Sequence, residues 1–528
     1  MNSYMNPAFL LLFLPLVIII YAVTKQKYRW IVLLLASLTF FCILSAHLVI
    51  YILITTLIIH YIGIWLTHIK NTCNNELIEV PKEERKIIKS KYQKKERFAV
   101  AFGVLLILSI LIVMKYTNFF LQNVNSLLKV LQNDFRFKWV NIVLPIGISF
   151  YSLQAISYMF DVYRGKIEAD QNIFRLLLYL SFFPQIMEGP IARYSETAQK
   201  LYEGKQIEYN NLCRGVQRIA FGVMKKVLVA DRVNMYVQEI FMNYYNYDGG
   251  MIFLAVILYT IQLYMDFSGM IDVAIGIGEI FGIKLPENFK QPFASKTISE
   301  FWTRWHITLG SWFREYVFYP ISLSKPIKNL TSKTRKRFGN YYGPVLTGGI
   351  ALFVVWLFNG IWHGAAWTFI FFGLYHFFFI LMGNLFEPLV RNICTKLHIN
   401  RQAKWYVCMQ IIKTTIIVIF GELFFRAVSM KAGINMFVRI VRHFSFDNFS
   451  AIPSMGLALY DFIVIGVVLA IVFIIGCLKE HNINIRELIS RRNVVVRWSI
   501  YLILIFSIIL FGAYGIGYVP IDPMYANF

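Results

Sequence analysis

Residues 351–382 read ALFVVWLFNGIWHGAAWTFIFFGLYHFFFILM, and within this apolar stretch His363 stands between Trp362 and Gly364. An ionisable ring at such a position is costly unless it faces a protein interior or a wet cavity. Imidazole titrates near neutrality and so suits proton transfer as a general base. Gly364, Ala365 and Ala366 are too small to fill the space beside the ring, and Trp362 and Trp367 are expected to wall it, with Asn359 one turn earlier. The simpler alternative is a structural histidine that ties membrane helices together.

A second aromatic constellation lies at 301–320, FWTRWHITLGSWFREYVFYP, holding His306 beside Trp302, Arg304 and Trp305. Indole and phenol rings prefer the headgroup boundary, so 286–320 is predicted to be an interfacial segment that lies in or dips below the inner face. Acidic residues also fall inside apolar sequence: Asp266 and Asp272 in QLYMDFSGMIDVAIG, and Glu188 in SFFPQIMEGPIARYSE. A pore, a proton path or a catalytic cavity would each explain them. Structural bonding to neighbouring helices is the simpler reading of each. Six residues apart on one helix, Asp266 and Asp272 point away from a shared face and are not a paired-carboxylate device.

The elements that must hold these residues follow from composition. The 528 residues are 58% hydrophobic and 15% charged, with a mean hydropathy of +0.57, which excludes a soluble protein. Thirteen apolar runs lie between 8–23 and 497–516, including 139–160, 171–187, 212–231, 343–360 and 365–384. Some are short or interrupted, which predicts an all-α polytopic membrane protein with about 11–13 transmembrane helices. The first run lacks a basic lead and a small-residue cleavage site, so it is expected to be a retained anchor. The chain is read as a single membrane-embedded domain, 1–528, without repeats or a separate soluble part.

The net charge of +23 is concentrated in loops: 81–97 holds eight Lys/Arg against three Glu, and 325–337 holds six and no acid. By the positive-inside rule the loops 69–97 and 322–338, with the basic stretches 25–29, 391–404 and 479–497, are cytoplasmic. The turn NGIWHG at 359–364 then opens outward or at mid-membrane, and the N-terminus and the closing YVPIDPMYANF lie outside. Wedged between spans and lacking regular aromatics, these basic runs are expected to meet lipid headgroups and not nucleic acid. Six scattered cysteines have neither disulfide-framework nor zinc spacing, and no metal site is expected. Nucleophile-elbow, phosphate-loop, H-E-x-x-H and dinucleotide patterns are absent from the sequence.

Residues 286–320 and 362–376 resemble the signature blocks of the membrane-bound O-acyltransferase family, in particular its bacterial alginate O-acetyltransferase branch. The likeness continues through LPIGISFYSLQAISYMFDVYRG at 144–165, FPQIMEGPIARY at 183–194, GVMKKVLVADRV at 222–233, YMDFSGMIDVAIG at 264–276 and FGELFFRAVSM at 420–430. The resemblance implies a ring of helices thinned at its centre, where an outer funnel meets an inner tunnel. It implies acyl transfer to a hydroxyl outside the cytoplasm, with the histidine of the WHG block, His363, as the catalytic residue and His306 as the second histidine. No bound cofactor is implied. The donor is expected to be a cytoplasmic thioester, acetyl-CoA or a loaded acyl carrier protein, with Arg304 near an anionic donor and Trp362, Gly364, Trp367, Asn359 and Asp266 around the cavity. The acceptor is expected to be an extracytoplasmic polysaccharide, reached directly or through an acetyltransferase- or esterase-like partner. D-alanyl transfer to teichoic acid is the alternative within the family, and a glycan transporter without catalysis is the alternative of another class.

Overall fold

The computed structural model describes residues 4–132, 134–514, 518, 519 and 521. Most of the closing YVPIDPMYANF stretch therefore lies outside the described residues. Among the described residues the fold is all-α, and the only β feature is an isolated antiparallel bridge between Phe289 and Trp305. Among the described residues, eight helical stretches are long and apolar enough to cross a membrane. The count is lower than the number of apolar runs for local reasons. Residues 29–45 and 47–66 fall in one continuous helical stretch, Gln26–Glu79. Pro145 and Gly147, the latter at φ 69°, cut 139–160 so that its helix begins at Ile148.

The chain forms two compact units. The first comprises the described residues of 4–216 and 274–286. Its helices are α1 (Leu14–Val23), α2 (Arg29–Ser45), α3 (Val49–Glu79), α4 (Arg85–Val130), α5 (Ile148–Tyr163) and α6 (Ile173–Ser181). The Tyr4 hydroxyl donates to Phe183 O at 2.7 Å and accepts from Met187 N at 3.0 Å. This pins the amino-terminal segment to the turn that carries Glu188, which is 0% exposed.

The second unit comprises 217–273 and the described residues of 287–521. It holds most of α7 (Tyr209–Lys225), α8 (Asp231–Met242) and most of α9 (Gly249–Ile280). It continues with α10 (Ile298–Arg304), α11 (Ile307–Phe313), α12 (Lys325–His363), α13 (Trp367–Lys396), α14 (Lys404–Arg426), α15 (Met430–Arg442), α16 (Leu459–Glu480) and α17 (Val494–Phe511). The basic stretch 325–337 is the first part of α12, which kinks at Gly339 (φ 81°) and then runs on to His363. The expected turn at 359–364 is thus shorter and later, Gly364–Ala366, because helical bonding persists to His363 before the chain extends.

Small residues let the backbones of α12 and α13 touch, as helix pairing in lipid favours. A Cβ on Gly360 would lie 2.4 Å from Phe369 O, and one on Gly373 would lie 2.2 Å from Trp356 O. Gly222 and Gly269 do the same for α7 and α9, each facing the other's carbonyl.

Candidate active site

His306 owes its position to a local clamp. The backbone of 288–290 pairs with 304–307: Lys290 N donates to Arg304 O at 2.9 Å and Ile307 N to Asn288 O at 3.0 Å. At the junction of α10 and α11 His306 adopts φ 46°, ψ 52°, the left-handed region that a residue with a Cβ rarely occupies. Asn288 Oδ1 fixes this turn by accepting from Thr308 N (3.0 Å) and Thr308 Oγ1 (2.9 Å). The same oxygen faces His306 Nδ1 at 3.2 Å. Because that oxygen accepts, Nδ1 must carry the proton, which leaves Nε2 as the acceptor of the neutral ring. Burial pushes the His306 imidazole down from 6.5 to about 3. It is therefore neutral at physiological pH and a poor base, better suited to orienting a proton donor. Strained residues held this firmly concentrate at functional sites.

His363 is the last residue of α12 and is 5% exposed. Trp362 lies between the two histidines, its ring 5.7 Å from His306 and 5.0 Å from His363. The segment expected near the inner surface thus delivers His306 to within an indole's width of His363. Irregular backbone is tolerated there because it is enclosed by protein.

The remaining walls differ from the expectation. Trp367, the first residue of α13, is 57% exposed. His363 instead meets Phe372 at 5.9 Å and Phe425 at 5.1 Å. The space beside Gly364 is not open either: a Cβ there would lie 2.3 Å from the Phe369 ring, which packs on Phe425 at 5.0 Å. Gly364 is needed so that this aromatic ring can close over the end of α12. Asn359, one turn before His363, is 7% exposed, and its Oδ1 has no partner among the described residues.

A third histidine joins the cluster. His376 is 0% exposed and its two ring nitrogens have no hydrogen-bond partner among the described residues. Trp302 (4.8 Å), Trp356 (5.6 Å) and Phe372 (4.7 Å) surround it. Gly421 on α14 admits the ring, since a Cβ there would sit 2.6 Å from Nε2. The Trp302 indole N–H likewise has no partner among the described residues. The signal for it in the sequence is that His376 closes the same block as His363, and polar rings in apolar helices are expensive wherever they fall.

Two predicted site residues are placed elsewhere by ion pairing. Arg304 meets Glu300 at 3.0 Å and Glu480 at 2.6 Å, tying α10 to the end of α16. Asp266 accepts from Lys226 at 2.9 Å, and Lys226 also meets Asp231 at 3.0 Å. The residue after Asp266, Phe267, does reach the cluster, 4.8 Å from His306. Among the described residues no group of three or more His, Cys, Asp or Glu is arranged to hold a metal ion.

Long apolar helices, with buried histidines packed among aromatic rings, define a polytopic membrane protein. Residues 98–335 match the model of MBOAT, the membrane-bound O-acyltransferase family, a range that includes His306 and stops before His363. The chain is 30% identical over 434 residues to the probable alginate O-acetylase AlgI of Pseudomonas syringae pv. tomato, covering 82% of this chain and 74% of that protein. It is 32% identical to the peptidoglycan O-acetyltransferase of Helicobacter pylori, over 53% of this chain and 54% of that one. It is also 32% identical to the teichoic acid D-alanyltransferase of Bacillus subtilis, over 47% and 60%. The chain belongs to the membrane-bound O-acyltransferase family. It is an O-acyltransferase and a multi-pass bacterial membrane protein.

Proposed function

We propose that the whole chain, 1–528, serves as one acyltransferase domain that moves an acetyl group from a cytoplasmic thioester to a hydroxyl of an extracytoplasmic polysaccharide. The observation that carries the reading is the burial of His363 at the end of α12 among Trp362, Phe372 and Phe425, with His306 across the indole. His363 takes the proton of the acceptor hydroxyl as its oxygen attacks the thioester carbonyl. The C–O bond forms, the C–S bond breaks, and the imidazolium returns the proton to the leaving thiolate. Such base catalysis is worth about 10²–10⁴-fold. His306, neutral and fixed by Asn288, acts as a positioning residue through Nε2. Trp302 Nε1–H is the donor assigned to the thioester carbonyl oxygen, where charge develops. Aromatic walls exclude water, which otherwise competes with the acceptor for the acyl group.

The names of the relatives favour a polysaccharide acceptor, and an extracytoplasmic esterase- or acetyltransferase-like partner that completes delivery is part of the proposal. The test uses purified protein in lipid nanodiscs with acetyl-CoA, an acetyl-loaded carrier protein or a D-alanyl-loaded carrier protein, each labelled on the acyl group. Label from an acetyl donor is expected on a polysaccharide acceptor. Transfer from the D-alanyl carrier alone would replace acetylation by D-alanylation, and label on no acceptor would reject the proposal.

A further inference from the structure

A shallow, open surface cavity of about 420 Å³ adjoins the end of α15 and the start of α9, well away in sequence from the histidine cage. Its volume falls within the range of about 300–1,000 Å³ typical of small-ligand sites. Arg439, Arg442, Asn246, Asn448, Tyr247 and Phe444 line it.

The cavity rim is closely built. Gly249 N donates to His443 O at 2.9 Å, and Arg439 Nε donates to Tyr247 O at 3.2 Å. Asp248 accepts from Met251 N at 2.9 Å through one oxygen and from Asn448 N at 3.1 Å through the other. Side chains at 249 and 250 would strike Arg439 O and Ser445 O, so the two glycines let these backbones meet. Asp248 is thus committed to backbone donors, while Arg442 is exposed and forms no ion pair among the described residues. Two guanidinium groups outweigh the single carboxylate of the lining.

Charge distribution gives the site its side of the membrane. The spanning helix α14 follows the basic stretch 391–404, and α16 runs into the basic stretch 479–497. If both stretches are cytoplasmic, residues 427–458 emerge on the opposite face. There, Lys431, Arg439 and Arg442 stand against one acid, Asp447, contrary to the usual bias of external loops. α15 is amphipathic, with Phe437, Val438 and Val441 exposed and Met436 and Ile440 buried, a pattern suited to an interfacial helix.

We propose that this cavity is a docking subsite for an anionic glycan acceptor. The guanidinium groups of Arg439 and Arg442 hold its carboxylate or phosphodiester groups, Asn246 and Asn448 bond its hydroxyls, and Tyr247 and Phe444 cover a sugar face. Arginine presents a planar fork that matches such oxyanions in pairs of bonds. This rests on the reading that the acceptor is an extracytoplasmic glycan, and it adds that the acceptor is acidic.

Binding is measured on the full chain in nanodiscs of phosphatidylcholine, with a uronic acid oligomer, a glycerol phosphate oligomer and a neutral glucan oligomer as probes. One anionic oligomer is expected to bind, less tightly at high salt, and which one distinguishes carboxylate from phosphodiester chemistry. Arg442→Gln is expected to weaken that binding about tenfold or more, as loss of a charge-assisted bond does. Lys431→Gln, on the same helix but outside the cavity, is expected to leave it unchanged. Equal binding of the neutral oligomer, or equal binding by Arg442→Gln, overturns the proposal. If no oligomer binds and Arg442→Gln changes only the response to phosphatidylglycerol, the cavity is a lipid headgroup site and the proposal is wrong. A cysteine at Ser445 that an impermeant thiol reagent fails to label in intact cells, in a background without native cysteines, overturns it as well. Arg442-dependent binding without acyl transfer to any glycan would instead reject the proposed reaction and leave the subsite standing.

Discussion

Two regions of the second unit meet the same cost, that of burying polar side chains, in opposite ways. Along α7, α8 and α9 every deep charge is matched. Arg218 meets Asp272 at 3.0 Å and Glu287 at 2.6 Å, and Lys225 meets Asp272 at 2.5 Å. Lys226 bridges Asp231 and Asp266, and Arg232 pairs with Asp461. Around His363 there are instead three imidazoles faced by rings, and at His376 both nitrogens are left without a partner among the described residues. Matched charges hold helices in register at the expense of desolvation. In the proposed reaction the imidazoles among these rings receive the substrate.

This contrast predicts that damage to the two regions has opposite signatures. The largest effect is expected from His363→Ala, which should lower acyl transfer about 10²–10⁴-fold with little change in melting temperature. Labelled acyl transfer and thermal unfolding of the same detergent-purified sample check both halves. Transfer above a few per cent of wild type would remove His363 from the chemistry. Asp272→Ala should do the converse. It strands buried Lys225 and removes one partner of Arg218, a change expected to cost about 3–5 kcal/mol of stability, while transfer per folded molecule persists. Adding Lys225→Met should restore part of the loss, since removing both partners spares the unpaired charge.

Much of the cage is legible in the sequence, and little of the ion-pair region is. His363, His306 and Trp362 stand out because polar rings in apolar sequence are rare, and 301–320 announces itself by its indoles. The partners of Asp266 and Asp272 are hidden because Lys226 lies 40 residues from the one and Lys225 lies 47 from the other, and glycine contacts such as that between Gly222 and Gly269 bring the helices close enough. The small residues after His363 suggest open space and the structure shows none, for side-chain volume is readable locally whereas Phe369 folds back from the next helix to fill it. His306 is equally instructive. Its aromatic setting is visible in sequence, but the Asn288 clamp that drives it into the interior depends on a non-local pairing of 288–290 with 304–307.

Gly364→Leu tests that reading of the notch. The added side chain must displace Phe369 from Phe425, and overpacking of this kind typically costs about 1–3 kcal/mol. Transfer is expected to fall roughly ten- to a hundredfold, with donor binding, measured by calorimetry with acetyl-CoA, retained. Phe369→Ala in the same chain should recover part of the transfer. Loss of donor binding alone would place the closed notch on the donor's path.

The smallest effect expected concerns His306 and pH. Its ring titrates near 6.5 when unfolded and, held down by burial, at about 3 in the folded protein. Between these values the unfolded chain binds a proton that the folded chain does not, so stability rises with pH through this window and is lost as pH falls from 6.5 towards 3. The slope contributed by one such group is at most about 1.4 kcal/mol per pH unit. His306→Phe should flatten the stability profile between pH 4 and 6 relative to wild type in chemical unfolding measured at fixed detergent. It should also reduce transfer at pH 7, because the acceptor atom at Nε2 is gone. A variant that keeps the wild-type acid slope would show that His306 is charged in the folded protein. The cage would then resemble the ion-pair region after all, and the contrast between the two would fail at this residue.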